Sequence, residues 1–450
     1  MELIHYIKQG NWPTVLGYVL FIGMMATGYY YNITFVQLGL TDLGERIIGM
    51  SEASVATQMA YLALLTCAIA LGVGYLMKKL GWSSSFRVKL RLAFLVVALQ
   101  TVLTLIAPQV RSESAFIAWI VFASLALGIG MPATFSMTVD LIPRRDRGFA
   151  GALITAAAYF TAEVFSNSWQ FEGFRAQILW IMIPGAVGVG VLAFAKFPFM
   201  DQLALQHKRP EFAYGRFVRP DASGGTRVQR SLIGLLVLMF GIYFVDSLGF
   251  LRLLDTPLYM QTAWQSAELN IRLAIGITHV IAALIAGVLY TYMHERNLFL
   301  WIFGVFAITH LEYTLHIRIG PNDYAPLSMP LMYALAVSLY TVLNFAIWAD
   351  ISTPRTISLN SAIGVALSGW SATFISTALA IRWNALQMSL ERHLQIVDSL
   401  AFLFFLGTIV LIYFQGQYHR PGQYDRPGQD HRPGQDQPSM GQQELERRPG

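Results

Sequence analysis

Long apolar runs alternate with short polar breaks along most of the chain. Each run is about 20 residues, the length a helix needs to cross a hydrocarbon core of roughly 30 Å. Twelve of them fall at approximately 13–38, 53–77, 90–108, 114–138, 148–169, 176–195, 231–251, 268–292, 298–318, 326–347, 357–380 and 395–415. Inside lipid, every backbone amide must be satisfied within its own segment or in a closed barrel, and these runs lack the alternation of barrel strands. The pattern predicts an all-α polytopic membrane protein. Its longest internal polar stretch, 196–230, reads as a linker loop between an N-terminal six-helix bundle (1–195) and a C-terminal one (231–415).

The halves share a spacing. A shift of 213 positions lays Gly28, Tyr30 and Asp42 on Gly241, Tyr243 and Asp255, and Gly74 and Leu76 on Gly287 and Leu289; a further slip of three residues brings Asp140 onto Asp350. One offset shared by separate features predicts a duplication, hence two pseudo-symmetric bundles, a plan used by transporters.

Composition sharpens this picture. Hydrophobic residues make up 55% of the chain and charged ones 13%, against about 25% charged in ordinary soluble domains. With the N-terminus on the cytoplasmic side, that side collects 23 of the 31 Lys and Arg, including all six lysines. Positive charge resists translocation, so both termini are expected in the cytoplasm, the membrane being of the bacterial inner, plasma-membrane kind. The basic residues sit in loops instead of forming one stripe, which argues against nucleic acid. Cys67 is the single cysteine, so no disulfide framework is expected. The first run is too long for a signal core and is expected to stay in the mature chain. Residues 416–450 carry RPGQ at Arg420, Arg426 and Arg432; poor in aliphatic residues, they are expected to form a disordered cytoplasmic tail that a protein partner could engage.

Two local motifs carry a family resemblance. The break after the second run, GYLMKKLGWSSSFRVKL, presents Gly74, Leu76, Gly81, Arg87 and Lys89; the break after the fourth, DLIPRRDRG, presents Pro143, Arg147 and Gly148. With the twelve runs and the basic central loop, they resemble the major facilitator superfamily of secondary transporters over about residues 10 to 415. The resemblance implies that the first, fourth, seventh and tenth spans line a central cavity, and that the third, sixth, ninth and twelfth face lipid. It also implies a cytoplasmic gating role for Gly74, Gly81, Arg87, Arg147 and Gly148; the equivalent positions of Asp140 and Asp350, and the loop outline repeated as Asp350, Pro354 and Arg355, add Asp140, Asp350 and Arg355 to the expected gate, with Asp140 and Asp350 exchanging ion pairs with the arginine turn.

Ionisable groups at membrane depth are costly, so each needs a partner or a purpose. Asp246 and Glu163 each lie 15 residues into a span, roughly 22 Å from its start at about 1.5 Å per residue. They are the candidate proton sites, with His279 beside them; the bland alternative pairs Asp246 with Arg252 at the outer surface. Tyr30 and Asn32 in the first span, and Tyr333, Tyr340 and Asn344 at i, i+7 and i+11 in the tenth, form polar stripes suited to a wet cavity. Interhelical hydrogen bonding explains them equally well. Glu312 and His316 share a face of the ninth span and read as a structural pair before a metal site, for want of a third ligand. A haem held by His279 and His310 is conceivable, but nothing in their spacing requires one. No lysine or arginine lies deep in a cavity helix, which disfavours a clamp for phosphate or a dianion.

The sequence thus predicts a secondary transporter of a small organic solute, coupled to protons and working by alternating access, with no cofactor, no metal and no enzymatic activity. Lys78 stands where the family motif carries an aspartate, and the second-half motif near Gly287 is weak. These keep open a second reading: a transporter-shaped assembly factor, pigment or lipid handler, or receptor.

Overall fold

The computed structural model describes residues 2–165, 169–220, 226–228, 232–254, 256–293, 295–320 and 325–418; the RPGQ tail beyond 418 and Asp255 lie outside them. Among the described residues, twelve helices are long and apolar enough to cross a membrane: α1 (Trp12–Ile48), α2 (Glu52–Lys79), α3 (Phe86–Gln109), α4 (Glu113–Leu141), α5 (Arg147–Phe165), α6 (Phe171–Phe194), α7 (Leu232–Leu254), α8 (Leu269–Tyr292), α9 (Asn297–Ile319), α10 (Ser328–Asp350), α11 (Ile357–Ala385) and α12 (Leu390–Ile412). The protein is an integral membrane protein. Met1–Thr408 form one compact unit; from Ile409 a second begins, described only as a helical continuation to Tyr418.

Local chemistry sets the helix ends. Asn11, Ser51 and Ser112 each accept a hydrogen bond from the amide three residues on, capping α1, α2 and α4, where the first amides of a helix have no partner of their own. Gly49 and Gly81, at φ +79° and +73°, make the left-handed turns that leave α1 and α2, a conformation open to glycine at little cost. The outer part of α1 and the middle of α11 widen into π-helical turns, Asn32–Gly39 and Leu43–Ile48 in one and Ala362–Trp370 in the other.

The halves meet along two long crossings, α5 on α8 and α2 on α11. In the first, a Cβ on Gly148 would lie 3.0 Å from the carbonyl oxygen of Gly287, and one on Gly287 3.1 Å from that of Gly148. In the second, a Cβ on Gly74 would lie 2.8 Å from the carbonyl oxygen of Ser358. Gly74 and Gly287 are partners under the 213-residue shift, and Gly148 and Ser358 under the slipped one. The crossings are therefore the same contact built twice, as a duplicated chain requires.

Burial corrects one expectation. The most apolar windows of α6 and α12 are only 28% and 17% buried, as lipid-facing helices should be, but those of α9 and α3 are 56% and 44% buried, above the 39% of α1 and α7. Tyr259, in the α7–α8 connection, packs edge-on against Tyr313 of α9 at 4.9 Å, and Phe306 of α9 meets Tyr333 and Tyr340 of α10. Burial pushes the Tyr259 hydroxyl up to about 12, so it meets His316 Nδ1 at 3.1 Å as a neutral group. Glu312 is bonded to Ser328 instead. The expected Glu312–His316 pair is not formed, because each side chain has a nearer partner on another element.

The linker is folded where described. A helix, Pro198–Gln206, and a single turn, Pro210–Ala213, precede a two-stranded hairpin, β1 (Val218–Pro220) and β2 (Thr226–Val228), which pair antiparallel.

Candidate functional site

One large cavity, about 1560 Å³, opens between the halves. Its lining runs from Glu52 at the start of α2 and Met388 before α12, both on the face opposite the N-terminus, to Asn344 in α10, Val19 in α1 and Leu192 near the end of α6.

Asp246 reaches the cavity from α7, where its carboxylate accepts hydrogen bonds from two hydroxyls of α10, Tyr333 on Oδ1 and Tyr340 on Oδ2 at 2.5 Å. Those tyrosines are seven residues apart, two turns on one helix face, which is why both reach a single carboxylate. Among the described residues Asp246 makes no ion pair with Arg252, so the outer-surface pairing is not what holds it. Arg252 does line the cavity, near its mouth.

Glu163 and His279 face each other from α5 and α8, Oε1 to Nε2 4.0 Å apart. The imidazole stacks on Tyr159 with ring centroids 4.4 Å apart, and its Nδ1 shares a 2.8 Å hydrogen bond with Ser338 of α10. Arg272 of α8 donates to the carbonyl of Val164, next to Glu163. Tyr159 in turn meets the Tyr29 hydroxyl at 2.7 Å, and both lie within 3.5 Å of Thr341 Oγ1. A hydroxyl and imidazole chain thus joins α1, α5, α8 and α10 across the two halves.

The aromatic expectation is corrected by one position. Tyr30 turns away from the cavity and donates to Gln177 of α6 at 2.7 Å; Tyr29 takes the place assigned to it. Asn32 lines the cavity, and its buried Oδ1 has no partner among the described residues. Asn344 also lines it, and its Oδ1 accepts from Trp348 Nε1 at 2.9 Å. Tyr243, three residues before Asp246, stands edge-on to Tyr340 at 5.4 Å. Tyr29, Tyr159 and Tyr243 are the functional candidates sequence reasoning missed; Tyr159 precedes Glu163 by four residues, a signal that was there to read.

Toward the N-terminal face, Arg147 is fully buried and bridges the halves: Nη1 lies 2.8 Å from Asp350 Oδ1 and 3.0 Å from the Ala349 carbonyl, and Nη2 donates to the linker carbonyl of Phe212 at 2.9 Å. The Tyr290 hydroxyl donates to Asp350 Oδ2 at 2.7 Å. Asp140, equally buried, pairs with Lys89 of its own half and lies 3.3 Å from His207 Nδ1 of the linker. Asp140 is therefore not a partner of the arginine turn, because Lys89 reaches it first. Gly74, Gly81 and Gly148 serve the crossings and turns described above. Arg87 pairs with Asp201 at the exposed surface. Arg355 is exposed, with no ion pair among the described residues; both fall outside the buried network.

Among the described residues no group of three or more His, Cys, Asp or Glu is placed to hold a metal. His279 and His310 do not share a haem site either: His279 is bonded to Ser338, whereas a Cβ on Gly249 would lie 2.2 Å from the His310 ring.

No family model and no curated protein sequence matches this chain. Solved structures do. A proton:xylose symporter of the major facilitator superfamily, XylE, bound to 6-bromo-6-deoxy-D-glucose, is similar with a TM-score of 0.61 and 13% identity over 88% of this chain and 96% of that one. The human organic anion transporter MFSD10 (TETRAN) is similar with a TM-score of 0.56 and 17% identity, over 88% and 98%. The chain has the fold of the major facilitator superfamily transporters.

Proposed function

We propose that the protein is a secondary transporter that moves a small organic solute by alternating access, coupled to protons through Asp246 and Glu163. The observation carrying this reading is the position of both acids on one cavity between the halves, whose lining reaches the face opposite the N-terminus, with buried Arg147 and Asp350 paired across the halves beyond Asn344. Protonating Asp246 would remove its charge and turn one oxygen into a donor, freeing Tyr333 or Tyr340 to rearrange. Glu163 has a different environment, an imidazole and the nearby Arg272, so the two sites need not titrate together. Because a carboxylate at this depth is costly unless compensated, proton binding and solute binding can share its compensation.

The excess of Lys and Arg on the N-terminal face supports placing that face in the cytoplasm, so that the cavity opens outward. The substrates in the titles of the structural neighbours, a sugar and organic anions, differ from one another, and the solute of this chain must be read from its own lining.

A screen for solutes that raise the thermal unfolding midpoint of the purified protein identifies ligands, because binding to the folded state stabilises it. In proteoliposomes such a solute should then accumulate when an inward proton gradient is imposed. Glu163→Gln should abolish accumulation and leave exchange without a gradient intact; accumulation unchanged in both Asp246→Asn and Glu163→Gln would refute the coupling.

A further inference from the structure

The charge of the cavity opposes that of the chain. The chain carries +5 overall, yet the described lining holds five carboxylates, Asp42, Glu45, Glu52, Glu163 and Asp246, against one guanidinium, Arg252, and no lysine. Asp42, Glu45 and Glu52 lie toward the mouth, and Asp42 is bonded to Arg46 at 2.7 and 2.8 Å. Deeper in, Asp246 is compensated only by neutral phenols. A gradient of acidic groups leading to a carboxylate in a low-dielectric floor attracts cations and repels anions.

The walls around that carboxylate are rings. Tyr340 has Tyr243 edge-on at 5.4 Å, and Tyr333 has Phe250 stacked at 5.5 Å and Trp264 edge-on at 5.8 Å. Aromatic faces hold an organic cation within about 6 Å of the ring centroid, the more strongly where water is excluded. The cavity is far too wide for a bare metal ion, and no three-ligand group is placed for one among the described residues. An anion would face Asp246 with no paired clamp, and a neutral polyol would leave its charge uncompensated while the nearest hydroxyls are already engaged.

We infer that this cavity binds an organic monocation, its charged centre seated against Asp246 among Tyr243, Tyr333 and Tyr340. The inference rests on reading the cavity as a solute site, but not on transport or proton coupling.

The test uses the full chain in detergent and follows thermal unfolding with tetramethylammonium, benzyltrimethylammonium and tetraphenylphosphonium. Neopentylbenzene, the uncharged carbon isostere of the second, and tetraphenylborate serve as neutral and anionic counterparts. The two aromatic cations should raise the unfolding midpoint in a saturable way, and the neutral and anionic compounds should not. Asp246→Asn, which keeps the shape of the side chain, should weaken the cation effect at least tenfold. Tyr243→Leu should weaken it severalfold while Tyr243→Phe, which keeps the ring, should not. No stabilisation by any of the cations, equal stabilisation by the neutral isostere or the borate, or an unchanged effect in Asp246→Asn would overturn the inference. Cation binding without gradient-driven uptake would sink the transport reading alone; gradient-driven uptake of a neutral or anionic solute, without cation binding, would sink this one alone.

Discussion

Asp140 and Asp350 stand at equivalent points of the two halves, both fully buried, yet they do different work. Asp140 is neutralised by Lys89 from its own half. Asp350 is met by Arg147 from the other half, by Tyr290 of α8 and, through the amide of Phe217 on its carbonyl, by the linker. Duplication supplied the two carboxylates; the cation that each finds decides whether it braces one bundle or joins two. The difference traces to sequence: under the slipped shift, Arg147 corresponds to Ile357, and Lys89 to apolar Phe299 or Ile302, depending on which shift is used. Neither cation has a counterpart, so the symmetric fold carries an asymmetric charge pattern.

The comparison can be broken experimentally. The largest effect should come from Lys89→Ala, which strands a buried carboxylate and should cost about 3–5 kcal/mol in thermal unfolding; replacing both partners by Lys89→Met and Asp140→Leu should recover most of it. A double variant as unstable as the single one would show that the ion pair is not what Lys89 contributes.

Arg147→Gln should cost less, because Tyr290 still donates to Asp350, but it should act on conformation. With Asn344→Cys as a reporter in the cavity, labelling by an impermeant maleimide from the N-terminal face should rise severalfold over the Arg147 background. A loss of stability with no gain in labelling would make this pair a brace like the other.

Gly215→Ala comes next. Its Cβ would fall 2.1 Å from the carbonyl oxygen of Asp350, so the linker must lift, at about 1–3 kcal/mol by analogy with overpacking, and labelling should rise as for Arg147→Gln. The smallest effect on conformation belongs to Tyr290→Phe: about 1.5–3 kcal/mol of stability for one hydrogen bond to a charged group, with labelling unchanged because Arg147 still neutralises Asp350.

These contrasts also show what the sequence made legible. Apolar run length alone located all twelve spans, because the backbone leaves no other solution in lipid. The Asp246 site was visible for a similar reason: Tyr333 and Tyr340 repeat at a helical period, and an acid at that depth needs donors. Tyr30 was misplaced for Tyr29 because neighbouring helical residues point about 100° apart, and a row of three tyrosines does not say which one faces inward. Arg355 was expected at the gate because the loop outline repeats, yet under the slipped shift it corresponds to exposed Arg145 and not to Arg147. The folded linker was illegible: Arg144 N donates to the Glu211 carbonyl and Arg216 Nη1 to that of Tyr290, contacts between distant segments that no local period encodes.

The paired crossings carry a mechanical consequence. Gly148 against Gly287 and Gly74 against Ser358 mark two points where the backbones nearly touch. All four residues sit within about a turn and a half of the N-terminal-face ends of their helices, beside the Arg147–Asp350 contact. If the bundles rock open at that face, the crossings and the ion pair part together. A bulky side chain at either crossing would then favour the state open there, as would a change at Asp350.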